Sequence, residues 1–116
     1  MEDKTLMLTL MFDFFGELLP QKQREYFDPY YNEDMSLSEI AENAGISRQG
    51  VRDMIVRAEK ALTEYEEKTG VVSRALETRR RVKELLEILD RAEEKADGEV
   101  SRLIDEARRG LCSLKG

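Results

Sequence analysis

The stretch that most constrains the fold runs from residue 36 to 62 and reads SLSEIAENAGISRQGVRDMIVRAEKAL. Ser36 followed by Glu39 is the pattern of a capping box, in which each side chain satisfies a free backbone donor at the start of a helix. Gly45 is suited to the left-handed turn that ends this helix, and Ser47 is suited to cap the next one. The pattern therefore predicts a helix-turn-helix.

Apolar side chains recur at the spacing of an amphipathic helix on both sides of this turn. The predicted core positions are Leu37, Ile40, Ala41 and Ala44 in the first helix, Ile46 at the corner, and Val51, Met54, Ile55, Ala58 and Leu62 in the second. The second helix can continue as far as Gly70.

The rest of the chain also predicts helices, because its only prolines are Pro20 and Pro29 and nothing later interrupts a long helix. A first helix over about 4–19 is apolar around much of its circumference, with a stripe of Met7, Met11, Phe14, Phe15 and Leu18. A second helix, about 21–31, carries the aromatic residues Tyr26, Phe27, Tyr30 and Tyr31, which are expected in the core.

The expected fold is therefore all-α, in two parts. Residues 1–70 form a helical bundle that contains the helix-turn-helix at about 36–62, and residues 71–116 form a dimerisation or docking arm. In the arm, a long helix over about 72–96 is broken at Asp97 and Gly98 and followed by a short helix to about Arg109, with an apolar stripe of Val100, Leu103, Ile104, Ala107 and Leu111.

The long helix carries a seven-residue repeat that resembles a coiled-coil seam. Its members are Ala75, Val82, Leu89 and Ala96, with Val71, Thr78, Leu85 and Ala92 at the partner positions. The seam is consistent with two arrangements, a homodimer or antiparallel packing on the N-terminal part.

Composition argues against catalysis and for a cytoplasmic binding protein. The chain has no histidine and one cysteine, so it can build neither a cysteine–histidine zinc site nor an internal disulfide. It also lacks the commonest catalytic base and a glycine-rich phosphate loop. We expect no catalytic residue, no cofactor, no metal and, because Asp13 splits the N-terminal apolar run, no membrane insertion.

The second helix of a helix-turn-helix presents its outward side chains to a partner. Stepping 100° per residue from buried Val51 predicts that Gln49, Asp53, Val56 and Lys60 point outward. The predicted contact residues are Arg48, Gln49, Arg52, Asp53 and Arg57. A carboxylate in the middle of this face repels phosphate, and residues 36–62 hold four basic and four acidic side chains. The surface is therefore predicted to bind DNA weakly.

A second basic set lies early in the long helix and comprises Arg74, Arg79, Arg80, Arg81 and Lys83. One interpretation is a solvated face paired with Glu77, Glu84 and Glu87 at helical spacing. The other is a patch for an RNA backbone or an acidic protein surface.

The chain resembles the YlxM-type small helix-turn-helix proteins of bacteria, whose helix-turn-helix is similar to region 4 of sigma factors. The resemblance covers about residues 11–70 and rests on Lys22-Gln23-Arg24, Tyr26, SLSEIAE over 36–42 and SRQGVRD over 47–53. It implies an all-α homodimer with a regulatory role in the signal recognition particle pathway, where the partner is the particle's protein, its RNA or both. Gly50 departs from the family pattern, in which small or polar side chains are usual at this position of the second helix, and glycine disfavours a rigid helix.

Two other functions stay open. One is a dimeric transcriptional regulator that binds duplex DNA, which predicts affinity that falls steeply with salt. The other is a purely structural dimer.

Overall fold

A computed structural model describes residues 2–115, and every regular element within that range is helical. The elements are α1 (Glu2–Phe15), a 3₁₀ turn (Gly16–Leu18), α2 (Gln21–Asn32), α3 (Leu37–Ala44), α4 (Arg48–Thr69), α5 (Val71–Glu93) and α6 (Gly98–Leu114). The prediction of an all-α fold is confirmed. None of the helices in this range is long and apolar enough to cross a membrane.

The chain divides into two compact units, Met1–Val72 and Ser73–Gly116. The sequence predicts the division after Gly70, which ends α4 in the left-handed conformation (φ 66°). Val72 nevertheless belongs with the first unit. Its side chain is fully buried, and its N–H donates to Glu66 Oε1 at 2.8 Å.

The helix-turn-helix forms through the local interactions that the sequence predicts. Glu39 N–H donates to Ser36 Oγ, and Ser36 N–H donates to Glu39 Oε1, both at 3.0 Å. Gly45 adopts the left-handed conformation with φ 72°. Ser47 Oγ then accepts from the N–H of Gly50 at 3.0 Å and so starts α4.

The first unit is organised around α4, which contacts α1, α2 and α3. Its largest fully buried side chains are Phe27, Leu62, Val51 and Val72. The ring of Phe27 lies 4.7 Å from that of Phe12 and 4.5 Å from that of Tyr31, measured between centroids. Because burying a phenylalanine contributes roughly 1.5–3 kcal/mol, this aromatic contact is a main link between α1 and α2.

The apolar stripe predicted on α1 is partly wrong. The buried positions are Leu8, Met11, Phe15 and Leu19, whereas Phe14 and Leu18 are 44% and 62% exposed. A helix that is apolar on most sides does not define its own buried face. The chain then changes to a 3₁₀ turn, and Leu19 is extended (φ −78°, ψ 148°) because a residue before proline avoids the helical region. That change brings Leu19, and not Leu18, into the core.

The corner of the helix-turn-helix also differs from the prediction. Ile46 is 42% exposed and does not fill the interior of the turn, and Ala44 is exposed as well. Ile46 lies instead over the start of α4, where its Cδ1 would stand 3.5 Å from a Cβ built on Gly50. The left-handed turn at Gly45 directs it outward along the helix start.

In the second unit, α6 runs antiparallel to α5. Ser101 Oγ donates to Glu93 Oε1 at 2.5 Å, and Arg108 donates to Asp90. α5 ends at Glu93 and not at Ala96, and α6 extends to Leu114 and not to Arg109. Of the stripe predicted on the last helix, Ile104 is buried, whereas Val100, Leu103 and Ala107 are exposed. One neighbouring helix within the unit covers only one side of α6.

Candidate functional site

The outward face of α4 is the candidate site, and its N-terminal half carries the residues predicted from the sequence. Arg48, Gln49, Arg52, Asp53 and Arg57 are all exposed. The helix is held from the opposite side, where Val51, Ile55 and Ala58 are buried. Five polar side chains are therefore presented by a helix that is fixed by its cap and by its core face.

A hydrogen bond crosses the middle of this face. Gln49 Nε2 donates to Asp53 Oδ1 at 2.8 Å, one helical turn further along. The carboxamide is the side-chain type suited to reading an adenine edge, and here its donor is used within the helix. The spacing of four residues is the sequence signal for such a pair.

The basic side chains of the face are available to a partner. Arg48, Arg52 and Arg57 make no ion pair with any residue that the structure describes. Val56, between them, is 47% exposed. The face therefore combines free guanidinium groups, one engaged carboxylate and a small apolar area.

Further along α4, Glu59 is held by α2, because the hydroxyl of Tyr31 donates to its carboxylate. Burial raises the pKa of Tyr31 well above its ordinary value, and the hydrogen bond and negative charge of Glu59 raise it further. Nothing in the sequence indicates a pair that is 28 residues apart. It fixes Glu59 below the outward face and joins α2 to α4.

A small cleft of about 120 Å³ adjoins the face. The sequence pattern does not predict it. It is lined by Tyr30, Tyr31, Leu37, Arg52, Ile55, Val56 and Glu59. Its position lets a partner that contacts Arg52 also place a side chain beside Val56.

The second basic set, in α5, divides into paired and free members. Arg80 donates to Glu77 and, at 2.7 Å, to Glu84, and Arg81 contacts Glu84 at 3.1 Å. The hydrogen bond from Arg80 lowers the pKa of Glu77. Arg74, Arg79 and Lys83 are exposed and have no ion-pair partner among the described residues. The paired-face interpretation thus applies to Arg80 and Arg81 only.

The two basic sets lie in different units, α4 in the first and residues 74–83 in the second. The roles of all ten residues as contacts stay predictions. Over residues 2–115, no group of three or more acidic or cysteine side chains is arranged to hold a metal ion.

Comparison with known proteins identifies the class of helix-turn-helix. Residues 2–103 match the family described as "Putative helix-turn-helix protein, YlxM / p13 like". A UPF0122 protein of Thermoanaerobacter sp. is 45% identical over 117 residues, which covers 98% of each chain. One from Symbiobacterium thermophilum is 44% identical over 93% of this chain and 92% of its own. One from Bacillus cereus is 41% identical over 90% and 94%, respectively.

Proposed function

The chain belongs to the YlxM/p13-like helix-turn-helix family, and we propose that it is a non-enzymatic regulator or adaptor of the signal recognition particle pathway in the cytoplasm. The outward face of α4 binds the particle's GTPase, its RNA or both. Support for the pathway comes from the resemblance described above, and support for the binding face comes from its exposure and chemistry.

The observation that carries this proposal is the Gln49–Asp53 hydrogen bond in the centre of the face. In a duplex reader, this position faces base edges between two rows of phosphates. Here it holds an anionic carboxylate, and the amide beside it already has a partner. A surface with its own donors and carboxylates, such as a protein, can bond Asp53 and pair with the arginines at once.

The alternative is a dimeric DNA-binding regulator of the sigma-region-4 type. It is favoured by one observation, the three unpaired arginines along the start of α4, since guanidinium groups bind phosphate and guanine well. The charge balance works against it, because a chain with net charge −6 gains little from bulk attraction to DNA.

The free members of the second basic set, Arg74, Arg79 and Lys83, are assigned an auxiliary role. They add affinity for an RNA backbone or for an acidic protein surface. Arg80 and Arg81 take part less, because their guanidinium groups already pair with Glu77 and Glu84.

The test is capture of partners from a lysate of the source organism by tagged protein, with and without nuclease. Retention of the GTPase in both arms supports protein recognition, and retention that is lost with RNase supports recognition of the particle's RNA. Recovery of DNA alone, lost with DNase, contradicts the proposal and favours the DNA-binding regulator.

A further inference from the structure

A second cleft, of about 420 Å³, lies between α1 and α4 in the first unit. Its lining includes the buried side chain of Leu8 from α1 and reaches Val56 and Glu59 on α4. The small cleft described above is lined by the same two α4 side chains, together with Tyr30 and Tyr31 of α2. Because they share Val56 and Glu59, the two clefts meet at the middle of α4. We name them together the α4 groove.

The α4 groove follows one side of its helix. At 100° per residue, five of the α4 side chains that line it fall within an arc of roughly 80°, and they are Arg52, Val56, Glu59, Thr63 and Glu67. Spacings of four, three, four and four residues are those of a helix that packs along its length against another helix. At 1.5 Å per residue, this seam is about 22 Å long, which matches a partner helix of about four turns.

The middle of the α4 groove is apolar. Val56 is 47% exposed there, and the buried side chains of Leu8 and Ile55 line the groove beside it. An apolar side chain of a partner that enters at this point leaves water and contacts apolar surface. This part of the groove therefore favours a ligand that presents an apolar side chain.

Charge changes sign along the α4 groove. Arg52 lines the end near the start of α4, and Arg48 is exposed one turn before it. The other end has more carboxylates than ammonium groups, from Glu59, Glu64, Glu67, Lys4 and Lys60. Glu64 and Glu67 are exposed and make no ion pair with any residue over the described range 2–115. Both are therefore available to cationic groups of a partner.

A nucleic-acid strand does not suit this order of charge. Its phosphates can pair with Arg52, but a strand that continued along the groove would meet Glu64 and Glu67. Arg52 does not offset these carboxylates, because Glu67 lies about 22 Å away along the helix and physiological salt screens charges beyond about 8 Å. A protein helix can carry acidic side chains at one end, basic ones at the other and apolar ones between them, and grooves commonly bind helices of this kind.

We propose that the α4 groove binds an amphipathic helix of a protein partner, with an apolar side chain beside Val56, acidic residues near Arg52 and basic residues near Glu64 and Glu67. The inference rests on the proposed function in one respect, that α4 is the recognition helix. It deepens that function because it names a protein helix, and not RNA, as the ligand of the groove and extends the site into the second half of α4.

Site-specific cross-linking identifies the occupant. The full-length chain with Val56→p-benzoylphenylalanine is irradiated in a lysate of the source organism, and the cross-linked peptide is identified by mass spectrometry. We expect a helical protein segment with an apolar side, one acidic end and one basic end. The matched control is the same replacement at Val100, which is 55% exposed in the second unit, and it is expected not to capture that segment. Cross-links from position 56 to nucleic acid alone, to a protein segment without this order of charge, or to nothing would overturn the proposal.

Affinity for the purified GTPase and for the particle's RNA tests the two features of the α4 groove separately. Val56→Asn, which removes apolar surface without adding charge, is expected to weaken binding of the GTPase at least fivefold, whereas Val100→Asn leaves it unchanged. Glu64→Lys/Glu67→Lys is expected to weaken binding of the GTPase at least fivefold and to strengthen binding of RNA, because the two ligands respond to these charges in opposite directions. Circular dichroism confirms that each variant is folded.

The outcomes separate this proposal from the proposed function. If Arg52→Glu/Arg57→Glu loses the GTPase while Val56→Asn and Glu64→Lys/Glu67→Lys keep wild-type affinity, the helix in the α4 groove is excluded and the proposed function stands. Tighter binding of the GTPase by Glu64→Lys/Glu67→Lys would likewise overturn the proposal. If the wild-type chain binds neither the GTPase nor the RNA, the proposed function fails, and the cross-link from position 56 decides the occupant of the groove.

Discussion

Gln49 Nε2 lies 2.8 Å from Asp53 Oδ1, so the two polar groups at the centre of the outward face of α4 bond to each other before any partner arrives. A DNA-reading helix keeps such groups free for base edges. In this chain, a partner must either compete for the bond or recognise the pair as a unit. The second possibility is the basis of the proposed function.

Removing the carboxylate is expected to convert this face into a better DNA binder. Asp53→Ala frees the Gln49 amide and removes one negative charge, so affinity for duplex DNA should rise by about three- to tenfold at physiological salt. Fluorescence anisotropy with a labelled duplex measures the change.

The control for Asp53→Ala is Glu64→Ala, which removes the same charge about 16 Å further along α4, at 1.5 Å per residue. It should have a much smaller effect, because that distance exceeds the Debye length of physiological salt. Equal effects of the two variants would show that only net charge matters and that the pair has no special role.

Two substitutions at the start of α4 are expected to change the stability of the fold. Ser47→Ala removes the cap on the Gly50 N–H and should lower the free energy of unfolding by about 1 kcal/mol. Gly50→Ala should gain less than the roughly 1 kcal/mol expected from helix propensity. The reason is that the new Cβ would stand 3.2 Å from Ser47 Oγ, which cannot move away without loss of the cap.

Urea denaturation of the two single variants and of the double variant forms a cycle that measures this coupling. Gly50→Ala should be more favourable when Ser47 is already alanine. Strict additivity of the two changes would contradict the crowding at this helix start.

The Tyr31–Glu59 pair predicts a loss of stability at alkaline pH. The pKa of Tyr31 is raised in the folded protein by burial and by Glu59, whereas in the unfolded chain it is about 10. The stabilisation is complete below that pH. It is lost as the pH rises further, because the unfolded chain releases the proton that the folded protein retains.

Chemical denaturation between about pH 8 and 11 measures this loss. Tyr31→Phe should give a shallower alkaline decline than the wild-type protein. Glu59→Gln, which keeps the burial and removes the charge, should give an intermediate one. Identical slopes for all three proteins would exclude the pair as the source.

The helices and the turn of the helix-turn-helix were predicted correctly from sequence because their signals are local, although Ala44 and Ile46 at the corner are exposed and not buried. The capping box of Ser36 and Glu39, the turn at Gly45 and the cap at Ser47 each depend on residues a few positions apart. The buried face of α1 was not predicted correctly, because a helix that is apolar on most sides does not indicate which side faces the core. The side of α1 that is buried depends on its packing against α4, which it contacts.

In the candidate site, too, features that depend on local sequence could be predicted and features that depend on packing between helices could not. The outward positions on α4 follow from helical periodicity, and the Gln49–Asp53 bond could have been drawn from its spacing of four. The contact of Tyr31 with Glu59 could not, since it depends on how α2 packs against α4. The arginines of α5 differ in availability because Glu77 and Glu84 form ion pairs with Arg80 and Arg81 only.

If the outward face of α4 recognises the signal recognition particle, as we propose, its arginines should contribute much of the affinity. The most direct measurement is titration of the purified GTPase, and separately of the particle's RNA, with the wild-type chain and with Arg52→Glu/Arg57→Glu. A matched control, Lys68→Glu/Lys95→Glu, makes the same charge change at two exposed positions that are not among the predicted contacts. We expect at least a tenfold loss of affinity in the arginine variant, and little change in the control, for one or both partners. Wild-type affinity of the folded arginine variant for both partners would exclude recognition through this face.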